Sequence, residues 1–204
     1  MKIVLKNLVF FIVLSFAFSS LISCTGTKTA SVNDNPPANS AASSNSTDAP
    51  LEKKKINYPP APSALMQADI KNLDGTTYKL LDKKGKVVLV NLWATWCGPC
   101  RAEMPHIVEM QEKYRDKGFE VIGLDTDDES KEDIEAFAAK QKLNYQLGWA
   151  DGNLMNEFVK ITRLQAIPQS LLINRDGQLT GVFTGGGANT VNKMKETVEK
   201  IVND

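Results

Sequence analysis

Between Lys86 and Ile107 the chain reads KVVLVNLWATWCGPCRAEMPHI, and this stretch limits the possible folds more than any other. VVLVNLW is a continuous apolar run rich in β-branched residues, the pattern of a strand buried on both faces. The run stops at Cys97 and Cys100, with Gly98 and Pro99 between them, and from Pro99 onward the pattern is helical with proline near the start. The two sulfurs therefore sit where a strand hands over to a helix. A helix N-terminus carries partial positive charge and free N–H groups, so it favours a thiolate over a thiol and lowers the pKa of the cysteine placed there, here Cys97. Cys100, three residues on, shares that helix face and lies within reach of the first sulfur, which permits a reversible disulfide. A fixed structural disulfide is the bland alternative, but closing so short a loop removes little chain entropy beside what a long loop would.

Cysteine usage separates this pair from the third cysteine. Three cysteines cannot build a disulfide framework, and a single histidine, His106, with no second cysteine pair leaves too few ligands for zinc, so no metal is expected. Lys plus Arg equals Asp plus Glu at 24 each, a balance that gives no support for a nucleic-acid partner. The third cysteine, Cys24, closes a separate segment: Lys2 and Lys6, an apolar stretch from Leu8 to Phe18, then SSLISC. That is the pattern of a secretory signal. Its apolar part, about 15 residues, falls short of the roughly 20 needed to span a bilayer. LISC also resembles the bacterial lipobox, which implies a lipoprotein signal peptide over residues 1–23 and lipidation of Cys24. A plain cleaved signal and an uncleaved anchor are the alternatives. On the lipobox reading the protein is exported and held on a bacterial membrane with its domain facing the periplasm or the extracellular side.

After Cys24 the chain holds Thr, Ser, Asn, Ala and Pro almost exclusively until Leu51, too little apolar surface to order itself. Residues 24–63 are therefore expected to be the lipidated cysteine and a flexible linker, reaching roughly 35 Å as a coil. The globular pattern occupies residues 64–204. It starts with a hairpin turning at Asp74-Gly75 and a second turn at Lys84-Gly85, followed by the apolar strand and the CGPC helix. That helix is expected to run to Lys117, with Met104, Ile107, Val108, Gln111 and Tyr114 on one face and Gly118 closing it. FEVIGLD is the next strand, and Ser130 with Asp133 starts a helix in capping-box fashion. NYQLGW is a weaker strand, Asp151 begins a short helix, two strands surround the turn at Arg175–Gln178, and a helix from Asn189 closes the chain. Alternating strands and helices that end in a hairpin and a helix argue an α/β fold, with a mixed central sheet flanked by helices.

WATWCGPCRAEMP resembles the thioredoxin superfamily, and the rest of residues 64–204 is most similar to its TlpA/ResA-like membrane-tethered thiol-disulfide oxidoreductases. The features that carry this are the N-terminal β-hairpin, a central strand-helix insertion at 126–149, and Ile167-Pro168 before a strand. The resemblance implies a thioredoxin-like fold and dithiol chemistry without a cofactor beyond the redox-active Cys97–Cys100 disulfide. In that chemistry Cys97, exposed and with a lowered pKa, attacks a substrate disulfide and Cys100 resolves the mixed disulfide. It also implies a cis Pro168 facing the cysteines, with the backbone at Ile167 and Trp96, Gly98 and Pro99 beside Cys97 forming the substrate-binding surface. Trp93 is read as a packing residue and His106 as a surface or packing histidine rather than a catalytic base, and the Gly185–Gly187 loop has no context that would give it a phosphate role.

Two positions depart from thioredoxin itself. Asn91 stands where thioredoxin has a buried aspartate, and Glu103, three residues after Cys100, matches a glutamate of the ResA-like proteins. A partly buried carboxylate there would have a raised pKa and could exchange a proton with Cys100. The bland reading is an acid favoured in the first helical turn. The resemblance further implies disulfide-containing protein substrates, apocytochrome c among them, with a membrane thiol reductant as electron donor, and we expect a monomer. Two other classes compete. A thiol peroxidase would need a PxxxTxxC pattern that the chain lacks, and a non-catalytic binding lipoprotein would have no need of intact Cys97, Cys100 and Pro168.

Overall fold

The computed structural model describes residues 56–204. The expected signal peptide, Cys24 and most of the expected linker lie outside the described residues. From Ser63 the elements are α1 (Ser63–Met66), β1 (Asp69–Asn72), β2 (Thr77–Lys79), β3 (Val87–Trp93), α2 (Gly98–Tyr114), β4 (Phe119–Asp125) and α3 (Lys131–Gln141). They continue with β5 (Gln146–Trp149), α4 (Gly152–Thr162), β6 (Gln169–Ile173), β7 (Leu179–Thr184) and α5 (Ala188–Asn203). The strands form one sheet in the order β2-β1-β5-β4-β3-β6-β7. β3 runs parallel to β4 and β4 to β5, and the remaining pairs are antiparallel. This is the mixed α/β sheet expected, and the strand-helix insertion supplies α3 and β5, which joins the β1/β2 hairpin to the rest of the sheet.

The apolar run VVLVNLW is explained by its central place. β3 lies between β4 and β6, and every residue of it is buried. Successive side chains of a strand point to opposite faces, so β3 serves two cores. Val88, Val90 and Leu92 pack with Leu154 and Phe158 of α4, while Val87 and Leu89 pack with Ile107, Met110 and Tyr114 of α2 and Met194, Val198 and Ile201 of α5. Each fully buried side chain of this size stabilises the fold by about 1.5–3 kcal/mol relative to exposure, which is why no polar alternation survives in the run. The helices start where the sequence places them. Ser130 Oγ accepts the Asp133 N–H at 3.1 Å, and Asp151 Oδ1 accepts the Leu154 N–H at 2.7 Å.

Three expectations are corrected. The CGPC helix ends at Tyr114; Arg115–Lys117 tightens into a 3-10 turn before Gly118, whose φ of 75° closes it. The helix also buries Met110 where Val108 was expected, and Val108 is only half-buried. The linker boundary at residue 63 is too late, because the Pro-rich approach is part of the fold. Pro60 bridges to Gln178, the Ala61 N–H donates to Gly177 O at 3.0 Å, and the Leu179 N–H donates to Pro59 O at 3.0 Å. Strand β7 is a sheet edge with unpaired backbone groups, and a segment of prolines that offers carbonyls without N–H groups can cap it without extending the sheet.

Candidate active site

Cys97 is the N-cap residue of α2 and forms a disulfide with Cys100, with Cα atoms 5.3 Å apart. The Cys100 N–H donates to Cys97 Sγ at 3.2 Å, so the first sulfur receives one of the free N–H groups of the helix start. Cys100 is wholly buried. Cys97, expected to be exposed, is only 3% accessible in this oxidised form. The disulfide ties its sulfur to Cys100 inside a cluster with Trp93, Ala94, Met104 and Ile134, and Ile167 packs against that cluster. What is accessible at the site is the rim of Trp96, 65% exposed, with Gly98 and Pro99. Trp93 is fully buried and stacks on Phe137 with ring centroids 5.2 Å apart, a packing role.

The Ile167–Pro168 peptide is cis. Pro168 is buried and its carbonyl accepts the Gly185 N–H at 2.9 Å, while Ile167 lies before the β6 ladder begins at Gln169. The Ile167 backbone is thus outside the sheet, beside the cysteine cluster. The glycine loop that follows β7 belongs to this site as well, in a way the sequence did not suggest. A Cβ on Gly186 would lie 2.7 Å from Pro99 Cβ and 2.9 Å from its carbonyl oxygen. Gly186→Ala is therefore expected to push the CGPC turn away from β7, destabilising the oxidised protein by about 1–3 kcal/mol. The check is its thermal unfolding beside that of Gly98→Ala, whose added Cβ meets nothing within 4 Å. Equal effects of the two would contradict the contact.

Beneath the disulfide lies a polar pair drawn from two elements. Asn91 on β3 donates through Nδ2 to Glu103 Oε1 at 2.8 Å and to Ser170 Oγ at 2.9 Å, with all three residues buried. Burial pushes Glu103 up to about 7, and the hydrogen bond from Asn91 only partly opposes it. The burial of Tyr145 and the Glu103 charge together raise the phenol of Tyr145. Asn91 and Glu103, read separately in the sequence, are in direct contact. His106 stands apart, its Nδ1 4.0 Å from Glu109.

A second buried acid escaped the sequence reading. Asp125 ends β4, is fully buried, and is pushed up to about 7 by burial first and by the Glu129 charge second. The signal was present, since Asp125 is an acid at the end of the otherwise apolar VIGL run and opens the acidic stretch DTDDE.

The chain as a whole is similar to known proteins. The family model described as Redoxin matches residues 33–200. The chain belongs to the redoxin family. The thiol-disulfide oxidoreductase ResA of Bacillus thuringiensis subsp. konkukian is 34% identical over 132 residues, covering 65% of this chain and 73% of the relative. The ResA of Bacillus cereus strain ATCC 10987 matches to the same extent. Among solved structures, a thioredoxin-family thiol:disulfide interchange protein from Chlorobium tepidum superimposes with a TM-score of 0.60 at 26% identity, covering 72% of this chain and 98% of that one. One from Bacteroides sp. gives 0.59 at 26% identity, over 73% and 91%. The protein is a TlpA/ResA-like thiol-disulfide oxidoreductase with the thioredoxin fold, and its CxxC pair is Cys97 and Cys100.

Proposed function

We propose that this redoxin-family enzyme reduces disulfides in protein clients outside the cytoplasm, tethered to a membrane through lipid on Cys24 and recharged by a membrane dithiol carrier. Apocytochrome c is the client class we put first. In the reduced enzyme the Cys97 thiolate attacks a client disulfide, forming a mixed disulfide and releasing one client thiolate. Cys100 then attacks Cys97 Sγ, which breaks the mixed disulfide, releases the second client thiolate and leaves the enzyme disulfide. Two electrons pass to the client, and the carrier's dithiol returns them. Cys100 must lose a proton before it attacks, and Glu103 is the group we assign to take it. No cofactor beyond the cysteine pair takes part, and the chain acts as a monomer.

The observation that carries this reading is Glu103, buried one helical turn beyond a wholly buried Cys100 and titrating near 7. A carboxylate poised there suits proton exchange at neutral pH. Its negative charge also disfavours thiolates, hence the reduced form, which supports a reductant rather than an oxidant. Trp96, Gly98 and Pro99 on the accessible rim and Ile167-Pro168 beside the cluster support a client-docking face. The LISC pattern ending at Cys24 supports lipid as the anchor we assign, and no helix among the described residues is long and apolar enough to cross a membrane.

The test has two arms. With dithiothreitol as donor the protein should accelerate reduction of insulin, and its potential against glutathione should fall nearer thioredoxin's about −270 mV than the about −120 mV of a strong oxidant. Cys100→Ala in the producing cell should trap exported proteins, apocytochrome c among them, in mixed disulfides on Cys97. No acceleration of insulin reduction would end the reading, and a potential near −120 mV would reverse its direction.

A further inference from the structure

Trp96 immediately precedes the attacking cysteine and is the most accessible large apolar side chain of the described residues, yet it is held in place. Its indole Nε1–H donates to Asp127 Oδ2 at 2.5 Å. Its neighbour Thr95 donates through Oγ1 to Glu129 Oε1 at 2.5 Å. Both acceptors belong to the loop between β4 and α3, more than 30 residues further along the chain.

That loop is anchored from below. Thr126 donates to Trp93 O through its N–H at 3.0 Å and its hydroxyl at 3.2 Å, and the Ala150 N–H donates to Asp125 O at 2.8 Å. The buried Asp125 accepts the Asp127 N–H on Oδ2 at 3.0 Å, and the Glu129 carbonyl accepts from Trp149 Nε1 at 3.0 Å. The loop backbone is thereby fixed to β3 and to the β5 side of the sheet, and two carboxylates reach from it to the two residues before Cys97.

We propose that Asp127 and Glu129 are positioning residues that set the orientation of the Thr95-Trp96 step, so that Trp96 presents a pre-ordered indole face to a client segment docking beside Cys97. This rests on the reading of Trp96 as part of the docking surface. Immobilising a side chain on binding lowers affinity, and ordering it beforehand removes that loss. The hydrogen bond occupies the N–H edge of the ring and leaves its faces for apolar contact with the client. Asp127 reaches the docking face through Trp96 and hydrogen-bonds neither sulfur, so its effect falls on client binding rather than on the exchange steps.

The test uses the full chain. Asp127→Ala should raise KM for a protein disulfide such as insulin by roughly 3–10-fold. It should leave kcat within about twofold and leave reactivity with a small aromatic disulfide, which needs no docking face, unchanged. The near-ultraviolet circular dichroism contributed by Trp96, identified by its loss in Trp96→Phe, should weaken. Asp127→Asn keeps an acceptor oxygen and should restore both KM and the spectrum. In a Trp96→Phe background, which has no indole N–H to hold, Asp127→Ala should have no further effect on KM. An unchanged KM and spectrum in Asp127→Ala, or the same rise in KM when it is added to Trp96→Phe, would overturn the proposal. A wild-type protein that reduces no protein disulfide defeats the client reading instead, while the spectrum still reports whether Asp127 orders Trp96.

Discussion

Cys97→Ser is expected to abolish disulfide exchange, lowering insulin reduction by at least about 10³-fold while leaving the fold intact. The nucleophile in this chemistry is a thiolate, and a serine hydroxyl at the same N-cap can still accept the Cys100 N–H but does not ionise near neutral pH. The capping function of the position survives and the reaction does not. Losing so short a loop closure removes no more than about 2 kcal/mol of chain-entropy stabilisation. The variant should therefore unfold cooperatively a few degrees below the oxidised wild type. Insulin turbidity and thermal unfolding measured on one preparation check the split. Residual activity above a few per cent would mean that Cys100 alone can attack, which its complete burial argues against.

Glu103→Gln should do two opposite things: strengthen the fold at alkaline pH and slow the exchange. The sign follows from burial. In the folded protein Glu103 ionises at about 7, against an ordinary value of 4.5. Below the ordinary value the carboxyl is neutral in both folded and unfolded chains, and the fold bears no penalty. As the pH rises toward and through 7 the unfolded chain ionises freely while the folded one resists, so stability is lost by on the order of 3 kcal/mol. Glutamine keeps an oxygen for the Asn91 N–H and carries no charge, so at pH 8 the variant should be more stable by roughly that amount, and at pH 4 nearly unchanged. Asp125, raised to about 7 by its own burial, gives a pH slope of the same sign, and that part should remain in the variant. Exchange through Cys100 should slow by on the order of 10²-fold and lose its inflection near pH 7. Chemical denaturation and stopped-flow exchange at pH 4, 6 and 8 decide it. Identical pH profiles for wild type and variant would remove Glu103 from the proton path.

A gain in stability that accompanies a loss of activity is what a strained functional group predicts, because a buried acid is retained against its own desolvation. Asn91 shows how the fold tolerates it. One amide donates to both Glu103 and Ser170, linking α2, β3 and β6 at the level of the disulfide. On the proposed reading, the proton chemistry lies on the helix that carries the cysteines, at Glu103, rather than at the strand position held by Asn91.

What could be read in advance was local. The period of apolar residues marked β3 as buried on both faces, Ser130 and Asp151 marked helix starts, and CGPC between strand and helix marked the redox pair, because each signal is complete within one turn or a few strand residues. Cys97 and Cys100 meet through helix geometry alone. The linker boundary failed because composition reports whether a segment can form a core of its own, and residues 59–61 instead borrow an edge strand that lies about 120 positions later.

The chain's own pattern thus determined the strand-helix junction, the dithiol and the class of sheet. Tertiary structure decided the setting of that dithiol. It places Gly186 against Pro99, closes Asn91 onto Glu103 and Ser170, brings the Ile167 side chain to the cysteines, and holds Trp96 through Asp127. The physical reason is range. Helical and strand preferences act over a few residues, whereas these contacts join positions between 12 and about 87 residues apart, and only the path of the chain through the sheet brings such partners together.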